Sequence, residues 1–308
     1  MTQWQARGNQ ASAFAGRFWS KLRVSADRFV LRRRERGSMR EMFYRHTLPI
    51  RMMHWINAIV LTIMLMSGLQ IFNAHPALYW GITSDFDHPI LALTATQDDQ
   101  GNLQGITQIG DWQFNTTGLF GVSNVNGQPA ARGFPDWVTL PGPQWLAMGR
   151  LWHLFFAWLL VANGLAFALY AFAGGHFRRD LLPTRNDLGH LPQEIADHAR
   201  LRFPKGEAAK HYNALQKLAY FTVVFILGPL VVLTGLTMSP TIDSAFPGLL
   251  WVFGGRQSAR TIHFICAFSF LGFFIIHIVM VVLSGTWNNI RSMITGRYAI
   301  EPAETGHG

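Results

Sequence analysis

Four histidines stand inside apolar stretches of this chain: His54, His153, His263 and His277. The last two share one uncharged run, TIHFICAFSFLGFFIIHIVMVVL, from Thr261 to Leu283. An imidazole can ligate a metal, relay a proton or hydrogen-bond, and ionisable groups at membrane depth are costly and usually functional. Fourteen residues separate His263 from His277. In a helix that is nearly four turns, which puts both rings near one face and about 21 Å apart along the axis. One metal ion cannot use both, but two stacked sites can, each completed by a histidine from another helix. Bis-histidine ligation of haem iron needs two neutral imidazoles on opposite sides of a flat macrocycle, which facing helices supply. Zinc would require three or four clustered ligands, usually with thiolate or carboxylate company. The apolar runs contain no Asp or Glu.

The elements that must position these rings are membrane helices. Only 14% of the 308 residues are charged and 49% are hydrophobic, against roughly 25% charged in ordinary soluble domains. Four segments meet the roughly 20-residue apolar criterion for a span, at about 50–72, 151–172, 218–238 and 261–283. The expected fold is an all-α membrane protein, a four-helix transmembrane bundle with a long loop between helices 1 and 2. Lys and Arg set its orientation. Eleven precede the first span, Asn73–Leu146 has only Arg132, and Ala173–Lys217 has eight. By the positive-inside rule both termini are cytoplasmic and the 73–146 loop faces outward. The net charge of +9 is then a topology signal, and no nucleic-acid partner is expected.

Topology lets the four histidines be compared by depth. His54 lies four residues into the first span and His277 six residues before the end of the fourth, both toward the inner face. His153 and His263 each lie two residues into spans that start outside. The expected pairs are therefore His54 with His277 and His153 with His263. His211 and His75 are interfacial competitors, while His88, His176, His190, His198 and His307 lie in loops or the tail.

The rest of the chain bounds the reading further. Cys266, the single cysteine, can form neither an internal disulfide nor an iron–sulfur site. Residues 1–45 form a basic arm in which Phe18, Trp19, Leu22, Phe29 and Val30 interleave with arginines. It either lies on anionic lipid as an amphipathic helix or stays solvated, and its composition also fits a mitochondrial transit peptide. The 73–146 loop is rich in Gly, Asn, Thr and Gln with six Asp, and DWQFN reads as a short strand. It is either a docking surface or a disordered insertion; Trp80, Trp112, Trp137 and Trp145 favour order. No internal repeat, phosphate-binding glycine motif, paired-carboxylate site or Ser/His/Asp arrangement is found.

RMMHWINA (Arg51–Ala58), GRLWH (Gly149–His153), KHYNALQKLAY (Lys210–Tyr220) and the two histidines of the fourth span resemble the bacterial cytochrome b561/Ni-hydrogenase cytochrome b family. That family includes membrane subunits of hydrogenase, formate dehydrogenase and thiosulfate reductase. The resemblance covers roughly Met42 to Tyr298 apart from the outer loop. It implies a dihaem transmembrane domain over 46–298, with 73–146 inserted and a cytoplasmic tail at 299–308. It implies two haems b with His54, His153, His263 and His277 as axial ligands, and quinone exchange near the inner haem. Asn213 and Gln216 are candidates to contact the quinone, or else cap a helix. Arg51 and Arg150 each precede a histidine by three residues, and either pair haem propionates or snorkel to headgroups. The long loop points to an outer partner, with an exported molybdenum oxidoreductase favoured and a hydrogenase possible. The implied role is electron transfer between quinone and that partner in a bacterial inner membrane. A histidine-based transporter or metal-ion carrier is the alternative, and no catalysis on a further substrate is required of the chain.

Overall fold

The computed structural model describes residues 31–35, 38–125, 127–202 and 212–300. The arm before Leu31, with its expected amphipathic segment, and Lys210, His211 and His307 lie outside the described residues. Four helices are long and apolar enough to cross a membrane. They are α1 (Leu48–Phe72), α2 (Leu146–Ala173), a composite helix over Ala214–Thr237, and α8 (Arg256–Leu283). At 1.5 Å per residue each is about 36–42 Å long, ample for a hydrocarbon core of roughly 30 Å. Their starts precede the expected ones by two to five residues and their ends agree within one, because turns carrying Arg150 or Arg256 still satisfy the backbone ladder beyond the apolar run.

The composite helix has a visible cause. It begins as α4 (Ala214–Phe221), widens to a π-turn over Thr222–Leu227, and resumes as α5 (Gly228–Thr237). Pro229 has no N–H and its ring clashes with the carbonyl four residues back, so the preceding turn must open. Between α2 and α4 lies α3 (Arg185–Ala199), and between α5 and α8 lie the short α6 (Pro240–Ala245) and α7 (Gly248–Val252). A final helix, α9 (Thr286–Thr295), follows α8.

The chain divides into two compact units. The first takes residues 1–54, 166–221 and 275–308. In it the end of the basic arm forms a hairpin, β1 (Leu31–Glu35) and β2 (Ser38–Tyr44), and β2 pairs with β9 (Arg297–Ile300) to give the order β1-β2-β9. Gly296 makes that junction possible, with φ +81° and no room for a Cβ beside the Tyr44 ring. Helix α3 opens on a capping box: Thr184 Oγ1 accepts from Asp187 N and the Asp187 carboxylate accepts from Thr184 N. Asp187 also binds Lys217 of α4 at 3.0 Å, and Glu194 accepts from the backbone N–H groups of Ala214 and Leu215.

The second unit takes residues 55–165 and 222–274 and includes the 73–146 loop. That loop is folded and mostly β, so the all-α expectation holds for the membrane-crossing part and not for this insertion. Strands β3 (Ala77–Leu78), β4 (Leu91–Gln97), β5 (Leu103–Ile109) and β6 (Trp112–Asn115) form an antiparallel sheet in that order, and β7 (Val122–Val125) pairs with β8 (Gln128–Ala131). The strand expected at DWQFN is β6. Leu93 and Phe134 bury with Leu69 and Phe72 of α1, so the sheet is rooted on that helix. The segment before β4 is strapped to α8. Gly81 O accepts from the N–H groups of Gln257 and Ser258, Thr261 Oγ1 donates to Tyr79 O, and Arg260 donates to the carbonyls of Ala77 and His75.

Arg132, the one basic residue of the loop, is folded inward and 3% exposed. Its Nε donates to Phe134 O, and its Nη2 to Gln70 Oε1, Thr139 Oγ1 and Gly142 O. One guanidinium thus fastens three turns of the loop to α1. Arg132→Leu should strip Gln70 Oε1 and Thr139 Oγ1 of this donor, while Phe134 O keeps Asn73 Nδ2, and destabilise the loop by about 2–4 kcal/mol. Limited proteolysis should then cut within 73–146; unchanged resistance would contradict this role.

Candidate functional site: two imidazole pairs

Each unit contains one pair of the membrane histidines. In the first, His54 of α1 and His277 of α8 have ring centroids 6.2 Å apart, tilted by 56°. In the second, His153 of α2 and His263 of α8 are also 6.2 Å apart, tilted by 63°. These are the two pairs expected from depth. Two metal–nitrogen bonds of about 2 Å, plus about 1.1 Å from each nitrogen to its ring centre, separate trans imidazoles by about 6.2 Å. Both pairs fit a single iron between facing rings. Among the described residues no three His, Cys, Asp or Glu gather as a metal-binding group.

The second pair is built twice over from the same local parts. His153 Nδ1 donates to Met64 O at 3.1 Å and faces Ser67 Oγ at 3.1 Å. His263 Nδ1 donates to Val231 O at 2.9 Å and faces Thr234 Oγ1 at 3.1 Å. Each hydroxyl spends its own proton one turn back, Ser67 on Ile63 O and Thr234 on Leu230 O, both at 2.7 Å. The hydroxyl oxygens are therefore left as acceptors. A carbonyl can only accept, so both rings carry their proton on Nδ1 and keep the Nε2 lone pair for a metal, the outer-shell arrangement that orients a ligating histidine.

The next residue in each helix is glycine. A Cβ at Gly68 would lie 3.2 Å from His153 Cε1, and one at Gly235 would lie 3.2 Å from His263 Cε1. Ser67-Gly68-Leu69 on α1 and Thr234-Gly235-Leu236 on α5 are thus two copies of one imidazole cradle, each behind four apolar residues. This short repeat is absent from the sequence reading, although hydroxyl-Gly-Leu after an apolar run is its signal. Gly149 has a related use one turn before His153, where a Cβ would meet Gln70 Cγ at 2.8 Å.

The remaining expected residues are placed less uniformly. Arg51 donates through Nη1 to Ile294 O, and its Nε is buried without a hydrogen-bond partner among the described residues. That leaves one donor for an anionic group. Arg150 is exposed on α2. Asn213 and Gln216 cap α4 reciprocally: Gln216 N donates to Asn213 Oδ1 at 2.8 Å and Asn213 N to Gln216 Oε1 at 3.3 Å. Asn213 Nδ2 faces His198 Nε2 at 3.4 Å. A third arginine stands three residues before a ligand candidate, Arg260 before His263. It spans loop carbonyls and lies 5.3 Å over the Phe72 ring. The repeated Arg-x-x-His spacing was its signal.

Outside the helices, His46 is part-buried just before α1. Burial first, then the nearby charges of Arg45, His54, His176 and Arg51, push its pKa down to about 3. The folded protein thus keeps His46 neutral where the unfolded chain would protonate it. This contribution to stability is complete above about pH 6.5 and is lost as pH falls toward 3. His46→Asn should flatten the fall of melting temperature between about pH 6.5 and 4. An unchanged acid slope would contradict the assignment.

Facing imidazoles held by apolar, membrane-length helices define a class, the membrane b-type cytochromes. Residues 117–296, more than half of the chain, match the family described as prokaryotic cytochrome b561, and the chain belongs to that family. It is a multi-pass membrane protein of electron transfer, and the family binds b-type haem. The match takes in His153, His263 and His277. The chain is also similar to the "Putative protein-methionine-sulfoxide reductase subunit YedZ1" of Azospira oryzae. The two are 31% identical over 150 residues, covering 48% of this chain and 71% of that protein. No solved structure matches the chain.

Proposed function

We propose that the chain is a dihaem cytochrome b subunit carrying electrons between the quinone pool and an oxidoreductase on the opposite face of a bacterial inner membrane. The observation that carries this reading is the pair of 6.2 Å imidazole contacts on separate stretches of α8. His54 and His277 would hold one haem, and His153 and His263 the other. A haem b, when bound, supplies one-electron oxidation and reduction at its iron. The chain's own contribution is to present four imidazoles, two of them held at Nδ1 by backbone carbonyls so that Nε2 stays free, to exclude water and to set two positions along one helix. Arg51, whose buried Nε has no hydrogen-bond partner among the described residues, would meet a propionate, and Arg150, three residues before His153, would do the same.

The Lys and Arg distribution supports cytoplasmic termini and an outer 73–146 domain. The basic arm (1–45), the haem domain (46–298) and the tail (299–308) keep these roles in the proposal. Quinone would exchange on the inner side near α4. Capping occupies the carbonyl oxygens of Asn213 and Gln216, so the Gln216 NH2 is the amide donor to offer. The similar protein's name makes it a subunit of a protein-methionine-sulfoxide reductase. This supports an outer oxidoreductase partner, and the family resemblance favours a molybdenum enzyme over a hydrogenase. Purified protein should show a reducible b-type absorption band, and a quinol should reduce it. A band that dithionite reduces but no quinol does would sink the quinone assignment alone.

A further inference from the structure

The outer sheet has one face turned onto the membrane helices, and that face runs out beyond them. Leu91 and Leu93 of β4 pack with Leu69 and Phe72 of α1 and with Phe264 and Phe268 of α8. Leu91 stands opposite Ile109 and Leu93 opposite Thr107, while Ile109 stands opposite Trp112 and Thr107 opposite Phe114. Directly opposed residues share a face, so Ile109, Trp112 and Phe114 continue the face that Leu91 and Leu93 begin. Farther along β5 the same face is closed at Gly105 by the backbone of Phe120 and Val122. Among the described residues the face then stands open, with Ile109 52% exposed, Trp112 72% and Phe114 47%. The alternate residues Gln108, Gln113 and Asn115 are polar and occupy the other face.

We propose that this overhang is a bilayer seat, in which Trp112, Phe114 and Ile109 rest in the headgroup layer of the leaflet beside α1 and α8. The face packs against the last two turns of α1, at Leu65, Leu69 and Phe72, and against Phe264 and Phe268 of α8, so its strands lie beside membrane-crossing helices. Where that face overshoots the helices, the material in front of it is the lipid that surrounds them. The residue types fit: Trp is enriched at membrane interfaces, where an apolar ring with one N–H donor meets both media. The apolar–polar alternation of β6, Trp112-Gln113-Phe114-Asn115, fits a surface wet on one side only. The turn residue Asp111, at the tip of the β5–β6 hairpin, favours zwitterionic over anionic headgroups. The seat would fix the tilt of the outer domain and remove this edge from the surface open to a protein partner.

The test uses the full-length protein in phosphatidylcholine nanodiscs. With Cys266, the buried sole thiol, replaced by Cys266→Ser, a fluorophore is attached at Trp112→Cys, Gln113→Cys or Phe114→Cys. Brominated lipid should quench the labels at 112 and 114 several-fold more than the label at 113, and aqueous iodide should do the reverse. Equal iodide quenching at all three would overturn the seat. So would labels at 112 and 114 that lie open to iodide in the nanodisc and close only when a protein partner is added. Should a β6 variant elute as aggregate, Ile109→Cys against Gln108→Cys repeats the comparison on β5.

Discussion

His277→Ala is expected to halve the haem content of the purified protein, from two haems b per chain to one, with the remaining haem unchanged in its spectrum. The reason is geometric. His54 would lose the imidazole that faces it 6.2 Å away, whereas the His153–His263 pair keeps both of its rings and the bonds they donate to Met64 O and Val231 O, which fix their tautomers. His54→Ala should give the same spectrum as His277→Ala, and His153→Ala and His263→Ala the complementary one. A redox titration of the four variants therefore sorts into two groups. Loss of the same haem from His277→Ala and His263→Ala would mean that the pairing is wrong, whatever the total.

The second large effect falls on two glycines packed against the imidazoles. Gly68→Leu and Gly235→Leu should each empty the His153–His263 site while leaving the His54–His277 site filled. A Cβ alone would approach the imidazole Cε1 to 3.2 Å, tighter than an ordinary contact, and the further carbons of leucine would occupy the ring's own volume. Overpacking of about 1–3 kcal/mol converts to roughly ten- to hundred-fold weaker haem retention. Ser67→Ala and Thr234→Ala act in the same cradles but remove only one acceptor each, about 1 kcal/mol. They should keep the haem and shift its midpoint potential. A filled site in Gly68→Leu, read by haem-to-protein ratio, would show that the imidazole is not held against α1.

The histidine pairing was legible because depth in a membrane helix is counted from sequence at a fixed rise per residue, and only one pairing matches depth. The spans were legible for the same reason, to within a turn at their ends. The cradles were not. Ser67-Gly68 and Thr234-Gly235 are two residues each in an apolar background, and their meaning comes from which neighbouring helix supplies the ring. Arg260 went unread, although it stands before His263 as Arg51 does before His54. The loop's order was signalled by its tryptophans, but its inward Arg132 was not, because a lone arginine in an acidic loop reads as solvated. Helix α9 escaped because ten residues with Asn and Ser carry a weak apolar signal. The π-turn before Gly228-Pro229, a widened turn inside an otherwise continuous helix, follows from Pro229 itself.

The central claim is that each chain holds two bis-histidine haems, one at each end of the α8 histidine pair. Haem extraction and quantification on the purified wild-type protein, alongside low-temperature electron paramagnetic resonance of its oxidised form, tests this most directly. Two haems b per chain with two low-spin bis-histidine signals are expected. One haem per chain, or a high-spin signal that shows an iron with an open axial position, would contradict the account.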